Sequence, residues 1–257
     1  MRIINLSVDG LHQAAQRGLY DWLEEQDADI ICLQDLRALE YELDHDVFHP
    51  KGYNAYFFDS GVKHYNGVAI YSRQVPKALI YGFGFASGVD MEGRYLQIDF
   101  DKISIGSLLA PAAMAANESQ EVKMKFFDDL QAHLIKISRK RRDYVFCGNW
   151  AMAHKARDVK NASAHEGDVG YLPHERNWLN QLFTQIEYTD AFRKVNNDAD
   201  EYSWLPTEGD LNGSEWRTDF QVVSNNLANR VEYATIYKGQ SFSSHRPVII
   251  DYDLEIE

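Results

Sequence analysis

The stretch DIICLQD, residues 29–35, decides the fold: an apolar run of strand length stops abruptly at Gln34 and Asp35. A run of this kind reads as a buried strand. Its polar end places chemistry-bearing side chains at the edge of a sheet, where rigid scaffolds build sites. Similar runs recur at Arg2–Leu6, Asn54–Phe58, Gly67–Tyr71, Tyr95–Phe100, Ile103–Leu109, Asp143–Cys147, Asp219–Val223, Val231–Tyr237 and Pro247–Tyr252. Between them lie helical patterns. About His12–Gln26, Ala15, Leu19, Trp22 and Leu23 fall on one side. About Glu118–Ile137, after an Asn117/Gln120 capping signal, Val122, Phe126, Phe127, Leu130, Leu134 and Ile137 share one face. A third helix opens at Pro173 and aligns Trp178, Leu182 and Ile186. Strands interspersed with helices predict an α/β protein with two sheets packed face to face and helices outside.

The 257 residues, 45% of them hydrophobic, suffice for one large core. The polar segments Pro111–Gln120, Ala153–Gly170 and Asn196–Ser214 read as surface loops within a single domain, 1–257. No run approaches the roughly 18 apolar residues of a membrane span, and no leader pattern opens the chain. Cys32 and Cys147, each inside an apolar run, read as reduced, buried thiols. A cytoplasmic protein is expected. The net charge of -13 opposes a polyanion, so strong RNA or DNA binding by the chain alone is not expected.

Polar residues end or open several strands: Ser7 and Asp9, Gln34 and Asp35, Asn149, Asp219, Ser244 and His245. Singly, each reads as a turn former or cap. Together, INLSVDGL (4–11), DIICLQD (29–35), YNGVAIYSR (65–73), EGRYLQ (92–97), CGNWAMAH (147–154), GYLPHERNW (170–178), YTDAFR (188–193), WRTD (216–219) and SSHRPVI (243–249) resemble the exonuclease III branch of the endonuclease/exonuclease/phosphatase superfamily, in the family's order. The resemblance implies a four-layer α/β sandwich with a site at one end of the sheets. It also implies phosphodiester hydrolysis using carboxylate-held Mg²⁺, a base and charge-stabilising donors.

This chain departs from that pattern at the site. Ser7 stands for the family's Asn, Asp35 for its Glu, Leu109 for its Tyr, Asn149 for the basic Asp, Ala151 for the orienting Asn, and Ser244 for the Asp of SDH. Asp9, Asp219 and His245 are kept, as are Trp150 and His154. Asn149 takes no proton near neutral pH, and a general base contributes about 10²–10⁴-fold. The expectation is therefore a remnant site in a chain that is not an enzyme, with no cofactor. Asp9, Asp35 and Asp219 are weak metal candidates; under the alternative, a divergent Mg²⁺-dependent nuclease, they and His245 carry the chemistry.

A regulatory group within the superfamily, the bacterial catabolite repression control proteins, shows the same departures. ADIICLQDLRA (28–38), GRYLQIDFDKISI (93–105), RKRRDY (139–144) and VIIDYDLEI (248–256) resemble it. That likeness implies translational repression together with the RNA chaperone Hfq on A-rich mRNA leaders. A partner-binding role is expected of the basic run Lys136, Arg139, Lys140, Arg141 and Arg142, with Arg73, Lys77 and Arg230 as weaker candidates. Trp150, Trp178, Trp204 and Trp216 read as core or loop anchors, and Gly148 as part of a tight strand-end turn.

Overall fold

Residues Arg2–Ser7 (β1) and Ile30–Gln34 (β2) pair in parallel, from Ile3 against Ile30 to Ser7 against Gln34. The link between them folds into helices Leu11–Gln16 (α1) and Leu19–Glu25 (α2). The computed structural model describes residues 1–85, 91–113, 119–206 and 213–256. Around the first parallel pair gather Asn54–Phe58 (β3), Val68–Ser72 (β4), Val231–Ile236 (β11) and Val248–Tyr252 (β12), in the order β11-β12-β1-β2-β4-β3.

The second sheet repeats the plan. Ile103–Leu109 (β7) and Asp143–Asn149 (β8) run parallel, joined by the long helix Gln120–Ser138 (α3). Ala78–Tyr81 (β5), Tyr95–Asp99 (β6), Tyr188–Asp190 (β9) and Asp219–Ser224 (β10) complete the order β5-β6-β7-β8-β10-β9. Pro173–Thr184 (α4), Ala191–Val195 (α5) and Asn225–Ala228 (α6) are the remaining α-helices among the described residues.

Alternation along each central strand explains the layering. In β2, Ile30 and Cys32 face the core between the sheets, while Ile31 and Leu33 face α1 and α2. In β8, Val145 and Cys147 join the same inter-sheet core, while Tyr144 and Phe146 pack with Phe126, Phe127 and Leu134 of α3 and Trp178 and Leu182 of α4. Period-two side chains buried on both faces require a layer on each side. The result is the four-layer α/β sandwich: helices, sheet, sheet, helices.

Some elements differ from the sequence reading. The helix expected over His12–Gln26 is two helices, because Gly18 adopts a left-handed φ of 83° and starts α2 anew. The cap of α3 is Ser119, whose hydroxyl accepts from the Val122 N–H at 3.2 Å. Asn117 and parts of the loops 111–120 and 196–214 lie outside the described residues. The loop 153–170 holds two short 3₁₀ turns and is tied to Trp216 through a bridge from Val159. Gly148 does not make a turn. It lies within β8, where a Cβ would sit 1.9 Å from the Leu108 carbonyl oxygen.

Candidate active site

Parallel strands bring their ends to one edge, and the expected residues meet there. β1 runs out through Ser7 to Asp9, and β2 through Gln34 to Asp35. Leu109 and Asn149 end β7 and β8 in register. β10 runs antiparallel to β8, so its first residue, Asp219, faces Asn149. Ser244 and His245 lie just before β12.

At the site's centre is a buried histidine–carboxylate pair. His245 Nδ1 lies 2.8 Å from Asp219 Oδ2, and both residues are buried. The same Asp219 oxygen accepts from Ser203 Oγ at 2.6 Å and Thr218 Oγ1 at 3.3 Å. Burial alone would lower the His245 pKa. The charge and hydrogen bond of Asp219, with the charges of Asp9 and Asp35, outweigh it and raise the value above the ordinary one. The opening segment of the last strand is fixed by Ser243, whose hydroxyl donates to the Ser7 carbonyl at 2.6 Å.

Asp9 and Asp35 have unlike surroundings. Burial pushes the Asp9 carboxyl up, but His245, two hydrogen bonds from Ser244 and the charge of Arg37 bring it below its ordinary value. Those bonds run from the Ser244 N–H at 2.8 Å and Oγ at 2.5 Å to Asp9 Oδ2. At Asp35, burial dominates over the Arg37 bond and charge, Asp9 adds repulsion, and the net shift is upward. Arg37 Nη2 lies 2.7 Å from Asp35 Oδ2 and 3.5 Å from Asp9 Oδ1. Asp9, Asp35, Arg37 and Ala151 all have positive φ, from 52° to 59°. Such backbone costs on the order of 1–3 kcal/mol per residue and clusters at functional sites. A cavity of about 510 Å³ opens beside Asp9 and Arg37, lined also by His12, Gln13, Glu42 and His64.

Asn149 and Ala151 form a structural turn. Asn149 Oδ1 accepts from the Ala151 N–H at 2.9 Å, and the Ala151 carbonyl accepts from Lys123 Nζ at 2.7 Å. Lys123 and Glu175, both fully buried, pair at 2.6 Å, and Glu175 also accepts from the N–H groups of Gly170 and Leu172. Leu109 is buried, and its carbonyl lies 3.5 Å from Arg94 Nη1.

Of the weak metal candidates Asp9, Asp35 and Asp219, the first two do not offer a divalent cation an open carboxylate pair as they stand. Arg37 spans these two and Ser244 occupies an oxygen of Asp9; Asp219 Oδ2 is taken by Ser203, Thr218 and His245, while its buried Oδ1 has no hydrogen-bond partner. Among the described residues no three His, Cys, Asp or Glu side chains converge as a metal site.

The basic run lies elsewhere. It begins in the last turn of α3 and ends before the first residue of β8, so a full strand separates it from Asn149. Lys136, Arg139, Lys140 and Arg141 are exposed, and Lys136 complements the helix dipole. Arg142 is a clip: it donates to the carbonyls of Phe100 at 2.9 Å, Ile103 at 3.1 Å and Asp101 at 3.2 Å. Arg73 pairs with Asp27 at 2.6 Å, Lys77 with Asp101, and Arg230 with Asp253 at 3.7 Å. Of the anchors, Trp150, Trp178 and Trp216 are buried, and Trp204 bridges to Trp216 and His245. Sequence reading missed Arg37, Ser203, Lys123 and Glu175. A lysine on the apolar face of α3 was the available signal for Lys123.

The chain matches the Endonuclease/Exonuclease/phosphatase family over residues 5–245. It is 29% identical over 252 residues to an exodeoxyribonuclease of Bacillus subtilis, covering 96% of this chain and 98% of that protein. Over 260 residues it is 26% identical to a DNA-(apurinic or apyrimidinic site) endonuclease of Dictyostelium discoideum, covering 99% and 71%. An AP endonuclease structure from Archaeoglobus fulgidus superposes with a TM-score of 0.87 at 23% identity, covering 99% of this chain and all of that one. These relatives overturn the expectation that the chain is not an enzyme: proteins named as nucleases match it over nearly its whole length, and an AP endonuclease shares its architecture. By sequence and architecture together, the chain belongs to the endonuclease/exonuclease/phosphatase family.

Proposed function

We propose that the chain is a divergent phosphodiesterase of the exonuclease III/AP endonuclease kind, acting on nucleic-acid phosphodiesters at the strand-end site. The buried His245–Asp219 pair carries this reading. Asp219 accepts a hydrogen bond from Nδ1–H and holds the imidazole in one orientation, and the raised pKa favours the imidazolium. A cation fixed in a dry site stabilises negative charge that develops on a phosphoryl oxygen. Arg37, beside Asp9 and Asp35, supplies a second cation at the site. Asn149, which already accepts from Ala151, takes no proton, so turnover is slow, by about 10²–10⁴-fold relative to a site with a base there.

The test is cleavage of abasic, nicked and 3′-phosphorylated duplex DNA and of single-stranded RNA, with Mg²⁺, with Mn²⁺ and with EDTA. Slow cleavage that disappears in His245→Ala and Asp219→Ala is expected. Equal rates for wild type and both variants in every arm would remove the proposal.

A second reading, favoured by the exposed cations Lys136, Arg139, Lys140 and Arg141 far from the site, is membership of the catabolite repression control group. The chain would then join Hfq on A-rich mRNA through that surface. Replacing Arg139, Lys140 and Arg141 by Ala should weaken such an assembly and flatten its salt dependence by about 0.7 in log–log slope per lost phosphate contact. Assembly unchanged at every salt concentration would refute it.

A further inference from the structure

Asp9 and Asp35 present two carboxylates to one small volume, and like charges so placed must share a proton or a cation. The cation is already in the chain. Arg37 Nη2 lies 2.7 Å from Asp35 Oδ2 and 3.5 Å from Asp9 Oδ1. The backbone holds it there: the Arg37 N–H donates to the Asn66 carbonyl at 2.8 Å, Leu36 to Gly67 at 3.1 Å, and Gly10 to Asp35 at 2.9 Å. Asp35 and Arg37 both adopt left-handed φ, which turns the arginine back over the carboxylate two residues earlier. Ser244 completes the arrangement by donating twice to Asp9 Oδ2. A carboxylate at position 244 would instead bring a third negative charge against Asp9.

We propose that Arg37 is the resident cation of this site: it occupies the place between Asp9 and Asp35 that a divalent ion would take, so the intact chain takes up no such ion there, and a ligand phosphate meets a guanidinium. The exclusion of a divalent ion rests on this geometry alone. The encounter with phosphate rests also on the proposed function. Arg37 is suited to both, because its side chain is 45% exposed and a guanidinium is a bidentate partner for carboxylate and phosphate alike.

Two measurements of opposite sign test it. The first is Mn²⁺ binding, followed by electron paramagnetic resonance, for wild type, Arg37→Ala, Arg37→Lys and the double variant Arg37→Ala/Ser244→Asp. Arg37→Ala should bind Mn²⁺ about ten-fold more tightly than wild type, since the ion no longer competes with a hydrogen-bonded positive charge. The double variant should bind more tightly again, and Arg37→Lys should stay near wild type, which separates charge from side-chain volume. The second is binding of a short 3′-phosphorylated oligonucleotide in EDTA, which Arg37→Ala should weaken and Arg37→Lys largely preserve. Mn²⁺ binding by wild type as tight as by Arg37→Ala overturns the resident-cation assignment. Unchanged oligonucleotide binding by Arg37→Ala overturns the phosphate contact while leaving the Mn²⁺ result standing.

Discussion

The two ends of the second sheet carry charge in different ways. At the end where β8 finishes, ions are enclosed and answered: Lys123 by Glu175, His245 by Asp219, and Asp158 by both Arg193 and Arg217. At the end where β8 begins, about 20 Å away for a seven-residue strand, Lys136, Arg139, Lys140 and Arg141 face solvent without a described ion pair. Enclosed ions fix geometry, because each is costly to leave unpaired. Exposed ions make a field that salt screens over roughly 8–10 Å. The first arrangement suits chemistry on a held group. The second suits long-range attraction and leaves the fold indifferent to it.

The largest expected effect lies at the enclosed end. Glu175→Ala strands a fully buried ammonium and frees the turn at Ala151, so it should cost about 3–5 kcal/mol. Urea unfolding measures this, and a loss below about 1 kcal/mol would show that solvent reaches Lys123 in the folded chain.

Acid should act next, and at the same end. Burial alone would raise the Asp158 carboxyl, but Arg217 and Arg193, with hydrogen bonds, hold it far below the ordinary carboxylate range. A folded value below the unfolded one stabilises the fold above the ordinary value of about 3.9, and that stability drains away as pH falls through and beneath it. Denaturant midpoints measured from pH 6 downward should therefore fall steeply below pH of about 4 for wild type, and less steeply for an already weakened Asp158→Asn. Parallel curves would place the acid sensitivity elsewhere.

The smallest effects divide the basic run. Arg142→Ala removes donors from the carbonyls of Phe100, Asp101 and Ile103 and should cost about 1–3 kcal/mol. Arg139→Ala and Arg141→Ala should leave the unfolding midpoint unchanged. Equal losses at all three would join Arg142 to its neighbours and erase the contrast.

Much of this architecture is readable from the chain because its central strands are buried on both faces. IICLQ and DYVFCGN announce themselves as apolar runs with polar ends. β5 escapes notice because it is an exposed edge strand, and β9 because three residues make no period. The strand-end residues of the site are likewise legible in order along the chain. What they do to one another is not. Arg37 looks like a solvated turn residue until the left-handed backbone folds it over Asp35. Ser244 looks like a simple loss until its hydroxyl is seen donating to Asp9. Residues 235 positions apart make that contact, and local pattern carries no trace of it.

The pairing of the first strand has a consequence for synthesis. β1 lies between β2 and β12, with Arg2 opposite Asp251 and Asn5 opposite Val248. An interior strand of the sheet is thus made long before one of the strands that flank it. At about 5–20 residues per second, Ile3 and Ile4 wait roughly 10–50 s on the ribosome for Ile249 and Ile250. Throughout that interval the nascent chain presents an apolar ribbon with one unpaired edge.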